Sequence, residues 1–228
     1  MSGKIKFDTQ ARDFADDLSR LLNKTVAHGV RIKSVLQDDG AIGWVGYGIT
    51  KTDFAPGHLI PLKLTKAPAT CFLHIALTLH LDPEIDRLVV QRSKCGVYCH
   101  DDFESMVFHY DFDREPEADY PEAHFQVGGS NPFLDELCAG VKLSKALREL
   151  HFPVGGRRYR PSIEDVIEFL IVEGLAPGKT GWQDELRRLR ENWWQIQLRS
   201  VVRRDPETAA AELRRQGYTI SPPEIGHS

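Results

Sequence analysis

Two six-residue words in this chain, HFQVGG at His124–Gly129 and HFPVGG at His151–Gly156, differ at a single position. In an extended strand the side chains alternate, so His124 and Gln126 share one face while Phe125 and Val127 share the other. His151 and Pro153 stand in the same relation to Phe152 and Val154. Each word therefore offers one imidazole to one side and two hydrophobes to a core, and its paired glycines let the backbone turn sharply or approach a ligand closely. If the two strands are neighbours, both imidazoles lie on one surface beside Arg157, Arg158 and Arg160. Such a set suits metal-free cleavage of a phosphodiester. One histidine takes the proton of the attacking hydroxyl, the other donates to the leaving oxygen, and arginine stabilises the charge that develops. Imidazole serves both duties because its ordinary pKa is about 6.5. The plainer reading is that two similar strands recur because both pack on one helix, and Pro153 fits poorly inside a sheet.

Other residues of chemical interest group less well. Cys95-x-x-x-Cys99-His100 has the residue types of a zinc site, but no second CxxC or HxxxH completes a set, so buried thiols are the expectation. His109, Asp111 and Asp113 share one strand face and could meet a divalent cation alongside His124, but a solvated outer face leading into an acidic loop is the favoured explanation. His74 and His80 read as satisfied, half-buried histidines. Phosphate-loop, dinucleotide-binding, zinc-protease, nucleophile-elbow and kinase signatures are absent, which argues against those chemistries. No cofactor and no metal are expected.

The elements that must position these residues follow from periodicity. Asp8 and Thr9 are cap candidates for a helix with apolar positions Ala11, Phe14, Leu18, Leu21 and Leu22. Strands are expected at Val30–Leu36, Ile42–Ile49, Leu59–Leu64, Cys71–Leu79, Leu88–Tyr98 and Met106–Phe112, with Asp38-Asp39-Gly40 as a hairpin turn. Short intervals without helical pattern point to an antiparallel meander. A helix over Phe133–Leu147 separates the repeated words. Beyond Arg160, Ser162 with Asp165 caps one helix, and Thr180 with Gln183 caps a longer one whose core stripe is Trp182, Leu186, Leu189, Trp193 and Ile196. Asp205-Pro206 opens a last helix that Gly217 closes. The expected fold is α+β: an N-terminal helix on a curved antiparallel sheet of about six to eight strands, then a helical C-terminal section. Residues 1–156 and 157–228 would form these two sections of a single domain.

Composition narrows the partners. A net charge of −4 excludes a simple polybasic nucleic-acid binder, but the charge is segregated. From Asp101 to Glu122 nine acidic residues face one basic residue, Arg114, whereas Arg187, Arg188, Arg190, Arg199, Arg203 and Arg204 stud the long helix. Four cysteines without framework spacing suggest a reducing compartment, and no apolar run reaches the ~18 residues a membrane span needs. A cytoplasmic protein with no membrane partner is the expectation.

One resemblance adds to this. Tyr110-Asp111, Tyr120-Pro-Glu-Ala-His124-Phe-Gln-Val-Gly128, Leu150-His-Phe-Pro and the run from Arg157 to Phe169 are together similar to uncharacterised prokaryotic domain families met beside toxin–antitoxin and phage-defence genes. It spans about residues 108–175 and brings no catalytic residues with it. The resemblance implies a nucleic-acid-directed toxin or effector role. Two readings result. In the first, the protein acts on RNA or another phosphodiester, with His124 and His151 as acid and base and with Arg157, Arg158, Arg160 and Tyr110 holding substrate. In the second, it is a non-enzymatic interaction module, or the regulatory subunit of a larger complex, whose acidic loop and Trp194 helix contact a partner protein.

Overall fold

The computed structural model describes residues 2–37, 42–55, 58–66, 68–69, 71–82, 87–116, 121–137, 146–155 and 161–221. The Asp38-Asp39-Gly40 turn, residues 117–120 of the acidic loop with Tyr120 among them, Cys138, and Arg157, Arg158 and Arg160 lie outside the described residues. The fold is α+β: an N-terminal helix, an open eight-stranded antiparallel sheet and C-terminal helices. By contacts the chain divides into two compact units, Met1–Leu186 and Arg187–Ser228.

In the first unit, helix α1 (Ser2–Thr25) begins six residues before the cap candidates Asp8 and Thr9. The apolar stripe extends back to Phe7, which is buried and touches the space at Gly43, so tertiary burial carries the helix past a weak local start signal. Ser19 and Asn23 then tie the helix to the first strand. Ser19 Oγ accepts from the Ile32 N–H at 2.8 Å, and Asn23 Oδ1 accepts from the Val30 N–H at 3.0 Å.

The strands are β1 (Ile32–Leu36), β2 (Ile42–Tyr47), β3 (Ile60–Leu62), β4 (Cys71–Asp82), β5 (Arg87–Tyr98), β6 (Met106–Asp113), β7 (Ala123–Val127) and β8 (Phe152–Pro153). Their order is β1-β2-β4-β5-β6-β7-β8, and β3 shares with β2 the same edge of the long strand β4. The expected meander is thus present, with β3 as its one departure. Register shifts at Thr78/Leu79 and Val97/Tyr98 leave Gln91 and Val107 as extra residues, and bulges of this kind bend a sheet. Alternation sorts the side chains. Val45, Leu73, Ile75, Leu77, Leu79 and Val97 are buried in the core with α1, while His74, Ala76, Lys94, Asp111 and His124 take the other face.

The stretch expected as one helix over Phe133–Leu147 holds two short ones, α2 (Pro132–Leu137) and α3 (Ala146–Glu149), with residues 138–145 outside the described set. Helix α4 (Ile163–Val172) starts where Ser162 and Asp165 foretold, with a complete capping box, and buries Val166, Ile167 and Leu170. Its Phe169 meets Phe108 edge-on at 5.7 Å, so α4 covers the α1 face at the β6 end.

Helix α5 (Trp182–Arg204) begins two residues after Thr180, and of its expected core stripe only Leu186 is fully buried. In the second unit Ile196 is half exposed, and helix α6 (Pro206–Arg215) opens on Asp205, whose carboxylate accepts from the Thr208 N–H at 3.0 Å. Gly217, at φ +92°, terminates it. Among the described residues no helix is long and apolar enough to cross a membrane.

Candidate active site

The face of the sheet away from α1 carries a cavity of about 690 Å³. It exists because the row of cross-strand neighbours Gly46, Ala76, Lys94, Asp111 and His124 starts with two residues too small to fill the face. Trp44 and Phe54 wall one end, and His124, Gln126 and His151 wall the other.

The two repeated words are neighbours in the sheet. β7 and β8 pair antiparallel, with Phe125 opposite Phe152 and His124 opposite Pro153. β8 is the terminal strand, a position where a proline costs no ladder bond. The imidazoles of His124 and His151 meet edge to face with ring centroids 4.5 Å apart. His124 is buried at 4% exposure, whereas His151 is exposed. The His124 Nδ1–H donates to the Pro121 carbonyl at 3.2 Å, which turns Nε2 toward Asp111 Oδ2 at 3.8 Å. Partial desolvation of the His151 ring where it meets the sheet, then the charge of neighbouring His124, pushes its pKa below that of an ordinary imidazole, so His151 is neutral and able to accept a proton near pH 7.

Asp111 organises the site. Its Oδ2 lies 3.3 Å from His109 Nε2 and 3.6 Å from Lys94 Nζ as well as near His124. Burial alone would raise its pKa, but the hydrogen bond from His109 and the positive Lys94 hold the carboxyl below its usual range. The proton on His109 can be placed by elimination. Gln126 Nε2 donates to the Arg148 carbonyl at 3.1 Å, so Gln126 presents its oxygen to His109, and His109 Nε2 must be the donor in their 2.6 Å bond. Gln126, the residue that distinguishes the first word from the second, thus orients a histidine.

Among the remaining expected site residues, Tyr110 is a correction. It neighbours Asp111 in the strand and so points to the other face, where it stacks on Phe125 at 4.6 Å, away from both imidazoles. The paired glycines of the first word also have a structural explanation. A Cβ at Gly128 would stand 1.8 Å from the Met106 carbonyl oxygen, and Gly129 has φ +120°. Cys95 is buried on the α1 side with its thiol pKa pushed up to about 12 by burial, and Cys99 is exposed. His109, Asp111 and Asp113 step along one strand at about 7 Å intervals. Asp113 is held by Arg92 at 2.9 Å, and among the described residues no three His, Cys, Asp or Glu side chains could hold a metal ion.

His74 is not the satisfied histidine expected. It lines the cavity between Phe103 and Tyr98, and its buried Nδ1 finds no hydrogen-bond partner among the described residues. Asp111 Oδ1 is likewise buried and unpartnered there. Lys94, on the neighbouring strand, belongs to the same cavity. Sequence reasoning passed over Lys94 and misjudged His74. The usable signal for His74 was its polar parity within the otherwise apolar run Cys71–Leu77, whereas Lys94 follows Gln91, Arg92 and Ser93, where no such contrast marks it.

Burial, with Lys94 beside it, lowers the His74 pKa to about 4. The unfolded chain then takes up a proton near 6.5 that the folded chain refuses until about 4, so stability is lost as pH falls through that window. The loss from this one group is roughly 2–3 kcal/mol. Urea midpoints at pH 7 and pH 4.5 should therefore drop less in His74→Phe, which keeps the aromatic packing, than in the wild type. Equal drops would remove His74 as the cause.

No protein-family model matches the chain, and neither a curated protein nor a solved structure is significantly similar to it.

Proposed function

We propose that this cavity cleaves single-stranded RNA by metal-free acid–base chemistry. The observation that carries the reading is the contact of the His124 and His151 rings in the wall of a cavity that also holds two cations, Lys94 and Arg92. A neutral imidazole beside one that can carry a proton is the pairing a concerted transfer needs. His151 takes the proton of a ribose 2′-hydroxyl as O2′ bonds to phosphorus. His124 gives its proton to the departing O5′ as the P–O5′ bond breaks. The products are a 2′,3′-cyclic phosphate and a free 5′-hydroxyl. Lys94 offsets the extra negative charge on the phosphoryl oxygens, and Asp111 keeps His124 and Lys94 in place.

The mechanism draws its nucleophile from the substrate, so it separates RNA from DNA. With a chelator present, a fluorophore-labelled RNA should be cut to cyclic-phosphate ends while the DNA of the same sequence stays whole. Intact RNA under these conditions, or DNA cut at a similar rate, would sink the reading.

The protein-partner alternative draws on a different region. In the second unit Trp194, Leu198 and Val202 recur every four residues along one side of α5 and are each at least half exposed, an apolar stripe of the kind that contacts other chains. A toxin or defence role, as the resemblance implies, is compatible with both readings.

A further inference from the structure

We propose that Trp44 and Phe54 form a base-stacking subsite, so that the substrate is an oligonucleotide laid across the strands rather than a mononucleotide. This rests on the cleavage reading and extends it to substrate length. The two rings stack on each other at 5.6 Å and 19°, and both face the cavity at the end opposite the imidazoles.

Trp44 is on β2 and His124 on β7, with β4, β5 and β6 between them. Four strand spacings make about 19 Å. A mononucleotide does not bridge that span, and a short single strand does. The floor between is low. Gly46, Ala76 and Thr78 leave room for a chain, and Lys94, 39% exposed, lies along the route of its phosphates. Base–aromatic stacking with cations tracking the backbone is the usual way a protein holds single strands without reading their sequence.

A second observation points to a polar ligand in the same cavity. Asp111 Oδ1 and His74 Nδ1 are buried in its wall without partners among the described residues. A carboxylate oxygen can only accept, so whatever fills the space must donate to it, as a ribose hydroxyl or an exocyclic base amine does. His74, held neutral by burial, asks for a hydrogen bond and not for a counter-ion. Groups of this kind are costly to leave unmade in the absence of a ligand.

The test compares a ribodinucleoside monophosphate with a ribohexanucleotide containing the same step, in the wild type, Trp44→Leu and Trp44→Phe, with folding checked by circular dichroism. Trp44→Leu should raise KM for the hexanucleotide roughly 5- to 150-fold. Its kcat should stay within about twofold, the dinucleotide should be processed as by the wild type, and Trp44→Phe should recover most of the loss. An equal effect on both substrates, or none on either, overturns the subsite while leaving the histidine pair standing. Should neither substrate be cleaved, the cleavage reading fails separately. Binding of a hexadeoxynucleotide, followed by fluorescence anisotropy, then decides: weaker binding by Trp44→Leu upholds the subsite, and unchanged or undetectable binding overturns it.

Discussion

Replacing His151 by asparagine should lower kcat for RNA cleavage by about 10²–10⁴-fold, the usual worth of a positioned acid or base. His124→Asn should cost a similar factor. The double variant should be little worse than either single one, because two groups that act in one transfer do not contribute independently. His151 is the cleaner probe, since it is exposed and its replacement disturbs little packing. Asparagine at 124 retains a donor for the Pro121 carbonyl that His124 Nδ1 now reaches.

The two positions also talk to each other through charge. Partial desolvation and the His124 charge both depress the His151 pKa. Activity that requires neutral His151 therefore rises with pH at a point below the ordinary imidazole range. Removing the imidazole at 124 takes away the second cause, so the His151 ring should titrate at higher pH in His124→Asn, as followed by its NMR resonance. That readout does not depend on residual activity. Activity within twofold of wild type in both single variants, or a His151 titration indifferent to residue 124, would dismiss the pair.

The second large effect concerns stability. Gly128→Ala should destabilise the protein by about 3 kcal/mol or more, at the severe end of single substitutions. The added Cβ would stand 1.8 Å from the Met106 carbonyl oxygen, and because a Cβ is fixed by its own backbone and the oxygen is main chain, no rotamer change relieves the clash. Relief requires β6 and β7 to part, which sacrifices the 2.7 Å bond from the Gly128 N–H to the Val107 carbonyl. Gly129→Ala should cost less, on the order of 1–2 kcal/mol, because its Cβ meets only a leucine methyl at 3.9 Å and the penalty is that of a positive φ. Urea denaturation of the two variants gives the comparison. A Gly128→Ala protein within 1 kcal/mol of wild type would mean the close approach is not a constraint.

This comparison also separates the two things written into HFQVGG. The histidine serves the cavity, and the glycines serve the sheet.

What could be read from the chain was whatever depends on near neighbours. The shared face of His124 and Gln126, the caps at Ser162 and Asp205, and the closing turn at Gly217 are set by residues within a few positions of one another, so their types and spacing suffice. Even the misplacement of Tyr110 was avoidable, since adjacent strand residues always face opposite ways. Pairing and register were decided elsewhere. Period-two alternation says that two side chains share a face without saying whose face they meet. Thus Lys94 and His74, contributed by strands far earlier in the chain, join Asp111 and His124 only because β4, β5, β6 and β7 lie side by side in one register. The length of α1 and the space at Gly128 belong to the same class. Both come from packing between segments distant in sequence, where burial of Phe7 and the approach of one backbone to another outweigh any local preference.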